Sequence, residues 1–144
     1  MSLRNRTPAL LLTLVFAHVA AETTHGRLAA TDTKAYGVTM LRSHETDPRA
    51  LVAFIEANWF AMDRIAVQRG VLTSYDMLAR PRTEEDTWNV MVIVGYPTAD
   101  GYPGITEDFE AIRSDHETVP IDGKASLADF GSFVSSNTFP APEN

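Results

Sequence analysis

The sequence predicts an α+β domain in which four antiparallel strands carry two helices on one face, in the chain order β-α-β-β-α-β. Three observations predict it. Two segments, residues 48–69 and 105–116, place apolar residues at helical spacing. Four others alternate with period two or are apolar throughout. Their order along the chain is that of two consecutive β-α-β units.

The first strand is Ala35–Ser43, "AYGVTMLRS". Tyr36, Val38 and Met40 share one side and Thr39 and Leu41 the other. Asp47 and Pro48 then supply helix-start chemistry, a short side-chain acceptor followed by a residue whose φ is already helical. The helix runs to Arg69, with Gly70 as its left-handed stop. At 100° per residue Leu51, Ile55, Met62 and Ala66 line one face, flanked by Phe54, Trp59 and Ile65, while Glu56, Asp63 and Arg64 point outward. Phe60 and Val67 also lie off the core face. Val71–Pro81 is the second strand, ended by the proline. Its more polar side carries Asp76 and Arg80 as rim charges. "WNVMVIVGY", Trp88–Tyr96, is β-branched and apolar on both sides and belongs at the centre of the sheet. "PTADGYPG" is a Gly/Pro loop that forms a turn. Ile105, Phe109, Ile112 and His116 make the face of a second, shorter helix, with Thr106 as its cap. "PIDGKASLADFG" reads as loop and "SFVSSNTF" as a weaker strand at an edge.

The domain so defined spans residues 35–138, with a tail over 139–144. Upstream, Arg4 and Arg6 precede an apolar run, Ala9–Ala21, too short to cross a bilayer and of the length of a signal-peptide core. Residues 1–21 are therefore expected to be a signal peptide cut after Ala21, and residues 22–34 a flexible lead-in. The expected product is secreted or periplasmic, with no stable membrane association after cleavage. It has no cysteine, so no disulfide supports it. The whole chain carries 12 basic and 19 acidic residues, a formal −7, and loss of Arg4 and Arg6 makes it more acidic. Such a surface repels nucleic acid, and none is expected as a partner.

A strand, a long helix with a Trp at mid-length and "RG" at its end, a strand, then "WNVMVIVGY" and a second helix bearing a His together resemble the dimeric α/β-barrel superfamily, built on the ferredoxin-like plan. Related groups are the NIPSNAP and antibiotic-biosynthesis-monooxygenase-like families. The resemblance covers residues 35–119. It implies a homodimer in which two bare sheet faces pack together into a barrel. That superfamily includes cofactor-independent monooxygenases, heme-degrading enzymes and small exported proteins. The heme-degrading members combine an Asn on the first strand with a Trp and a His near the second helix. Here the first strand has no Asn and the second helix no Trp, so only His116 has a counterpart and heme is not implied.

The chain writes one phrase twice, "RSHETDP" at Arg42–Pro48 and "RSDHETVP" at Arg113–Pro120. One copy ends a strand and launches a helix; the other is the tail of a helix. Neither is an HExxH motif, and a transition-metal site would need His44 and His116 to converge without cysteine. Coincidence is the better reading, and no metal is expected. No Walker loop, G-x-G-x-x-G or G-x-S-x-G is present, and no cofactor is expected.

Two polar side chains fall on apolar helix faces. Asn58 lies among Phe54, Ile55, Met62 and Ile65, and His116 lies on the second helix's apolar line. Buried, each must be hydrogen-bonded, at a cost of about 1–3 kcal/mol otherwise. Both helices cover the same sheet face, so Asn58 and His116 can look into one space walled by Trp59, Tyr75 or Trp88. One reading is an exported module binding a small apolar ligand there. Another is a cofactor-independent monooxygenase or isomerase acting on an apolar or aromatic compound, with His116 exchanging a proton and Asn58 polarising a carbonyl. In a third, both groups are bonded to backbone and the space is filled.

Overall fold

The computed structural model describes residues 33–143. The expected signal peptide and most of the lead-in lie outside them. The elements are β1 (Ala35–Ser43), α1 (Arg49–Gln68), β2 (Ser74–Ala79), β3 (Val90–Tyr96), α2 (Thr106–Asp115) and β4 (Gly131–Pro140), with short 3-10 turns at Tyr102–Gly104 and Leu127–Asp129. The sheet order is β2-β3-β1-β4, and every neighbouring pair is antiparallel. This is the ferredoxin-like α+β fold expected from the element order. The apolar run of β3 takes a central place beside β1, and the weak last strand takes an edge.

Local chemistry sets the long helix. The Asp47 carboxylate accepts the Arg49 N–H at 3.0 Å, at the first helical position. At the other end Gly70 has φ +73°, its N–H bonds the Val67 carbonyl, and the Val71 N–H bonds that of Ala66. That pair of bonds is a Schellman stop, which needs a residue without a Cβ at its left-handed position. Twenty residues give a rod of about 30 Å.

Several boundaries differ from expectation for physical reasons. The second strand begins only at Ser74, because Val71 and Leu72 are still closing the helix and burying themselves in the core. The third strand begins only at Val90, since Asn89 is occupied elsewhere. Its N–H goes to the Leu41 carbonyl, its Oδ1 accepts the Ser43 N–H at 2.9 Å, and its Nδ2 donates to the Ser43 hydroxyl and the Arg80 carbonyl. One fully buried amide thus ties together the ends of β1, β2 and β3. The lead-in expected to be flexible is fixed in its last two residues. Thr33 is buried with its hydroxyl 2.6 Å from that of Thr73, and Lys34 bonds Tyr96 on one side and Ala141 on the other. Strand β4 likewise runs two residues into the expected tail. The expected Thr106 cap does not form: its hydroxyl donates back to the Tyr102 carbonyl.

Between sheet and helices the apolar residues gather in two clusters. One holds Leu41, Leu51, Phe54, Ile55, Val90, Val92 and Phe130; the other holds Ala35, Ala66, Val71, Leu72, Tyr96, Ile105, Phe109 and Ile112. Phe60, expected off the core face, packs on Tyr75 with ring centroids 4.8 Å apart. Ile65 is 36% exposed, whereas Asp63, expected to point outward, is only 6% exposed. The buried stripe of α1 therefore shifts toward Trp59 and Asp63 in its second half. A straight helix crossing a twisted sheet does this, because its line of contact drifts around the helix.

The opposite face of the sheet has no helix over it. Tyr36, Val38 and Met40 of β1 stand there beside Met91 and Ile93 of β3, with Leu78 and Phe139 on the edge strands 57% and 50% exposed.

Candidate functional site

The two core clusters do not meet over their whole length. Between them lies a cavity of about 440 Å³. Its floor is Thr39 of β1 with Val92, Val94 and Tyr96 of β3. One wall is Phe54, Asn58, Trp59, Met62 and Asp63 of α1. The other is Phe109, Arg113 and His116 at α2, with Tyr102, Ile105, Thr118 and Ala125 from the loops around a mouth that stays partly open. The space exists because β1 presents small residues to the helices: Ala35, Gly37 and Thr39 lie across from Tyr96, Val94 and Val92. At Gly37 the absence of a side chain is required. A Cβ there would meet the Tyr96 ring and hydroxyl at 2.8 Å, so Tyr96 lies down across β1 only because residue 37 is glycine.

Asn58 and His116 do meet. Asn58 is 3% exposed. Its Nδ2 donates to the carbonyls of Phe54 and Val119, both at 3.0 Å, and its Oδ1 accepts the Val119 N–H at 2.8 Å. His116 Nε2 lies 3.1 Å from the same oxygen. An amide oxygen cannot donate, so Nε2 carries the proton and Nδ1 is an acceptor while the ring is neutral. The chain leaves α2 one residue earlier than expected, and His116 sits just past the helix in extended backbone. That break turns Val119 back toward α1. Asn58 then grips the Val119 peptide from both sides, as a strand neighbour would. Both of its amide protons are taken, so none is left to polarise a ligand carbonyl. What Asn58 does is hold the loop that borders the cavity.

The aromatic residues divide. Trp59 lines the cavity. Tyr75 does not: it stacks on Phe60 over β2. Trp88 also stands apart, beneath the Arg80 guanidinium at 5.9 Å. Arg80 in turn makes a two-point pair with Asp86 at 2.6 and 2.8 Å, which holds the Asp86 carboxyl well below its ordinary range. The two copies of the repeated phrase also lie in different surroundings. The His44 backbone bonds Phe130 and Arg82, while the His116 ring is on Asn58. Among the described residues no three His, Asp or Glu side chains come together as a metal site would require.

Asp63 joins the site although its place on the helix predicts an outward side chain. It lines the cavity, is buried, and makes no hydrogen bond or ion pair among the described residues. Burial pushes it up to about 7. Its neighbour Tyr96 is pushed up to about 12, first by burial and then by the charges of Asp63 and Tyr102. Tyr102 rises too, by burial and by donating to Glu110 at 2.7 Å. The site is therefore a mostly apolar chamber with one acid in its wall that has no partner among the described residues. No protein family, curated protein or solved structure matches the chain.

Proposed function

We propose that the protein is an exported homodimer that binds a small, largely apolar molecule in the cavity between its helices and its sheet. The cavity carries this reading. Protein interiors are packed as densely as organic crystals, and voids larger than a few waters are rare. About 440 Å³ in so small a domain is the size of a ligand site, for which about 300–1,000 Å³ is usual. Aromatic and aliphatic walls with a few polar groups are the usual lining of such sites.

The homodimer is supported by the bare sheet face. Leu78, Met91 and Met40 are register neighbours across three strands, and Tyr36 sits beside Phe139 across β1 and β4. A continuous apolar patch of this kind is favourably covered by an equivalent surface. Export is supported by the basic start and short apolar run before residue 22. Among the described residues no helix is long and apolar enough to cross a membrane.

The test is entry of an uncharged dye, N-phenylnaphthylamine, followed by energy transfer from Trp59 in a Trp88→Phe background. Val94 sits in the cavity floor, and Val94→Trp should weaken dye binding at least tenfold while the protein stays folded. If the parent takes up no dye, or Val94→Trp binds it equally, the ligand site is not this cavity. Native mass spectrometry of the same sample reads subunit number, and a monomer at micromolar concentration would remove the dimer.

A further inference from the structure

Resting on the reading of the cavity as a ligand site, we propose that its ligand is an organic cation: an apolar, preferably aromatic body bearing a protonated amine that donates to the Asp63 carboxylate. The polar groups of the cavity divide into those already engaged and those still free. Most donors are engaged; among the described residues the Trp59 indole N–H and the Thr118 hydroxyl are neutral exceptions. Both amide protons of Asn58 go to carbonyls, and the Nε2 proton of His116 goes to Asn58. The Tyr102 hydroxyl donates to Glu110, and the Thr39 hydroxyl is 3.0 Å from that of Ser136. Among the described residues Arg113 is the only lysine or arginine on the wall. It is about half exposed, paired with Glu110 at 3.2 Å and laid over the Phe109 ring.

The acceptors are open. Asp63 makes no hydrogen bond among the described residues although it is more than nine-tenths buried, and His116 keeps Nδ1. The Tyr96 hydroxyl, also unbonded there, can serve either way. Around them stand the rings of Phe54, Trp59, Tyr96, Tyr102 and Phe109, whose negative faces favour a cation. A buried acid with no partner is costly as a carboxylate, and an ammonium group offsets that cost with both a charge and directed protons. An anionic ligand would meet a buried carboxylate that repels it, which the Trp59 N–H and the Thr118 hydroxyl do not offset with any charge. The acidic balance of the chain further favours a cation.

Asp63 faces Tyr96 from the sheet, with Tyr102, Arg113 and His116 lining the same chamber from the loop and α2. Burial pushes the Asp63 carboxyl up to about 7. A cation beside it lowers that value, so binding releases a proton when the pH is below about 7.

The experiment displaces N-phenylnaphthylamine from the full mature protein with three probes of one shape: phenethylamine, phenylethanol and phenylacetate. At pH 8 phenethylamine should compete at least tenfold better than phenylethanol, and phenylacetate worst. The advantage of the amine should fall about tenfold per pH unit below 7 and be absent in Asp63→Asn, each competitor being read against that variant's own dye affinity. Carbon-13 NMR of the Asp63 carboxyl in the parent protein gives a readout independent of any variant. Its titration midpoint should drop when phenethylamine saturates the site. Equal competition by amine and alcohol, a preference for phenylacetate, or an unmoved midpoint would overturn the cation assignment while leaving the cavity as a binding site. No dye uptake at all would instead remove the reading on which it rests.

Discussion

The space between sheet and helices has two ends built on opposite principles. At one end Leu41, Leu51, Ile55 and Val90 are at most 1% exposed, and the polar group at the border, Asn89, has its donors and acceptor engaged by the buried Ser43 and the Arg80 carbonyl. At the other end small β1 residues leave a chamber, and the polar group in its wall, Asp63, makes no hydrogen bond among the described residues. The same helix serves both. The contrast shows where this chain spends its stability and where it keeps room for something else.

The largest effects belong to the packed end. Ile55→Ala removes a side chain with no exposed surface and leaves a hole its neighbours cannot fill, at a cost of about 3–4 kcal/mol. Asn89→Ala strands the Ser43 N–H and the Arg80 carbonyl and leaves the Ser43 hydroxyl only its bond to the Glu45 carbonyl, and is expected to cost about 3 kcal/mol. Urea denaturation at pH 7 measures both. Losses below about 1 kcal/mol would mean that this end is not the tightly packed half.

Asp63→Asn should act in the opposite direction and depend on pH. Burial raises the folded carboxyl from its ordinary 3.8 to about 7, so above 7 the folded state holds a desolvated charge that the unfolded state does not. The penalty is absent below about 4, grows between 4 and 7, and is complete above 7. The substitution removes a penalty on the order of 3 kcal/mol at pH 8 and changes little at pH 4. Thermal unfolding of both proteins across that range checks it. A gain that persists at pH 4 would point to packing rather than ionisation.

Asn58→Ala releases four hydrogen bonds, yet its cost should be smaller than that of Asn89→Ala, about 1–2 kcal/mol. Val119 is 44% exposed, so its freed N–H and carbonyl can turn to water, whereas Ser43 is buried. Hydrogen exchange should show the gain of mobility concentrated at residues 116–120. Protection unchanged there would mean that the loop is held by something other than Asn58.

The same contrast explains what is legible in the sequence. The packed end follows from patterns: the alternation of β1, the apolar run of β3 and the Leu51–Ile55 face of α1 place residues by type and spacing. The pairing of Asn58 with His116 is also legible, because a polar residue on an apolar face must find a partner. Asp63 is not. It stands at the border of the helical stripe, where a carboxylate reads as solvent-facing, and only a cavity that no pattern encodes can bury it. Asn89 escapes notice because a strand reading through Trp88–Tyr96 treats it as one more alternating position. Its role comes from three chain ends meeting at one point, and that is a property of topology. Tyr75 and Trp88 read as site residues because aromatic rings suit a pocket wall, but type alone does not say which side of a strand end a ring will occupy.

The smallest effect is expected from Met62→Ala. Met62 lies two turns along α1 from Ile55, on the same helical face, and an evenly packed core would make the two truncations similar. Met62 is only partly buried and borders the chamber, so part of its surface already faces empty space. Removing it forfeits little packing and widens an existing cavity instead of opening a new one. The cost should stay below about 1 kcal/mol, since truncation is expensive in proportion to the packing surrendered and the new void created. Dye affinity should change more than stability does. A loss matching that of Ile55→Ala would mean that Met62 is packed as tightly as the closed end, and the division of this core into a filled half and an open half would have to be withdrawn.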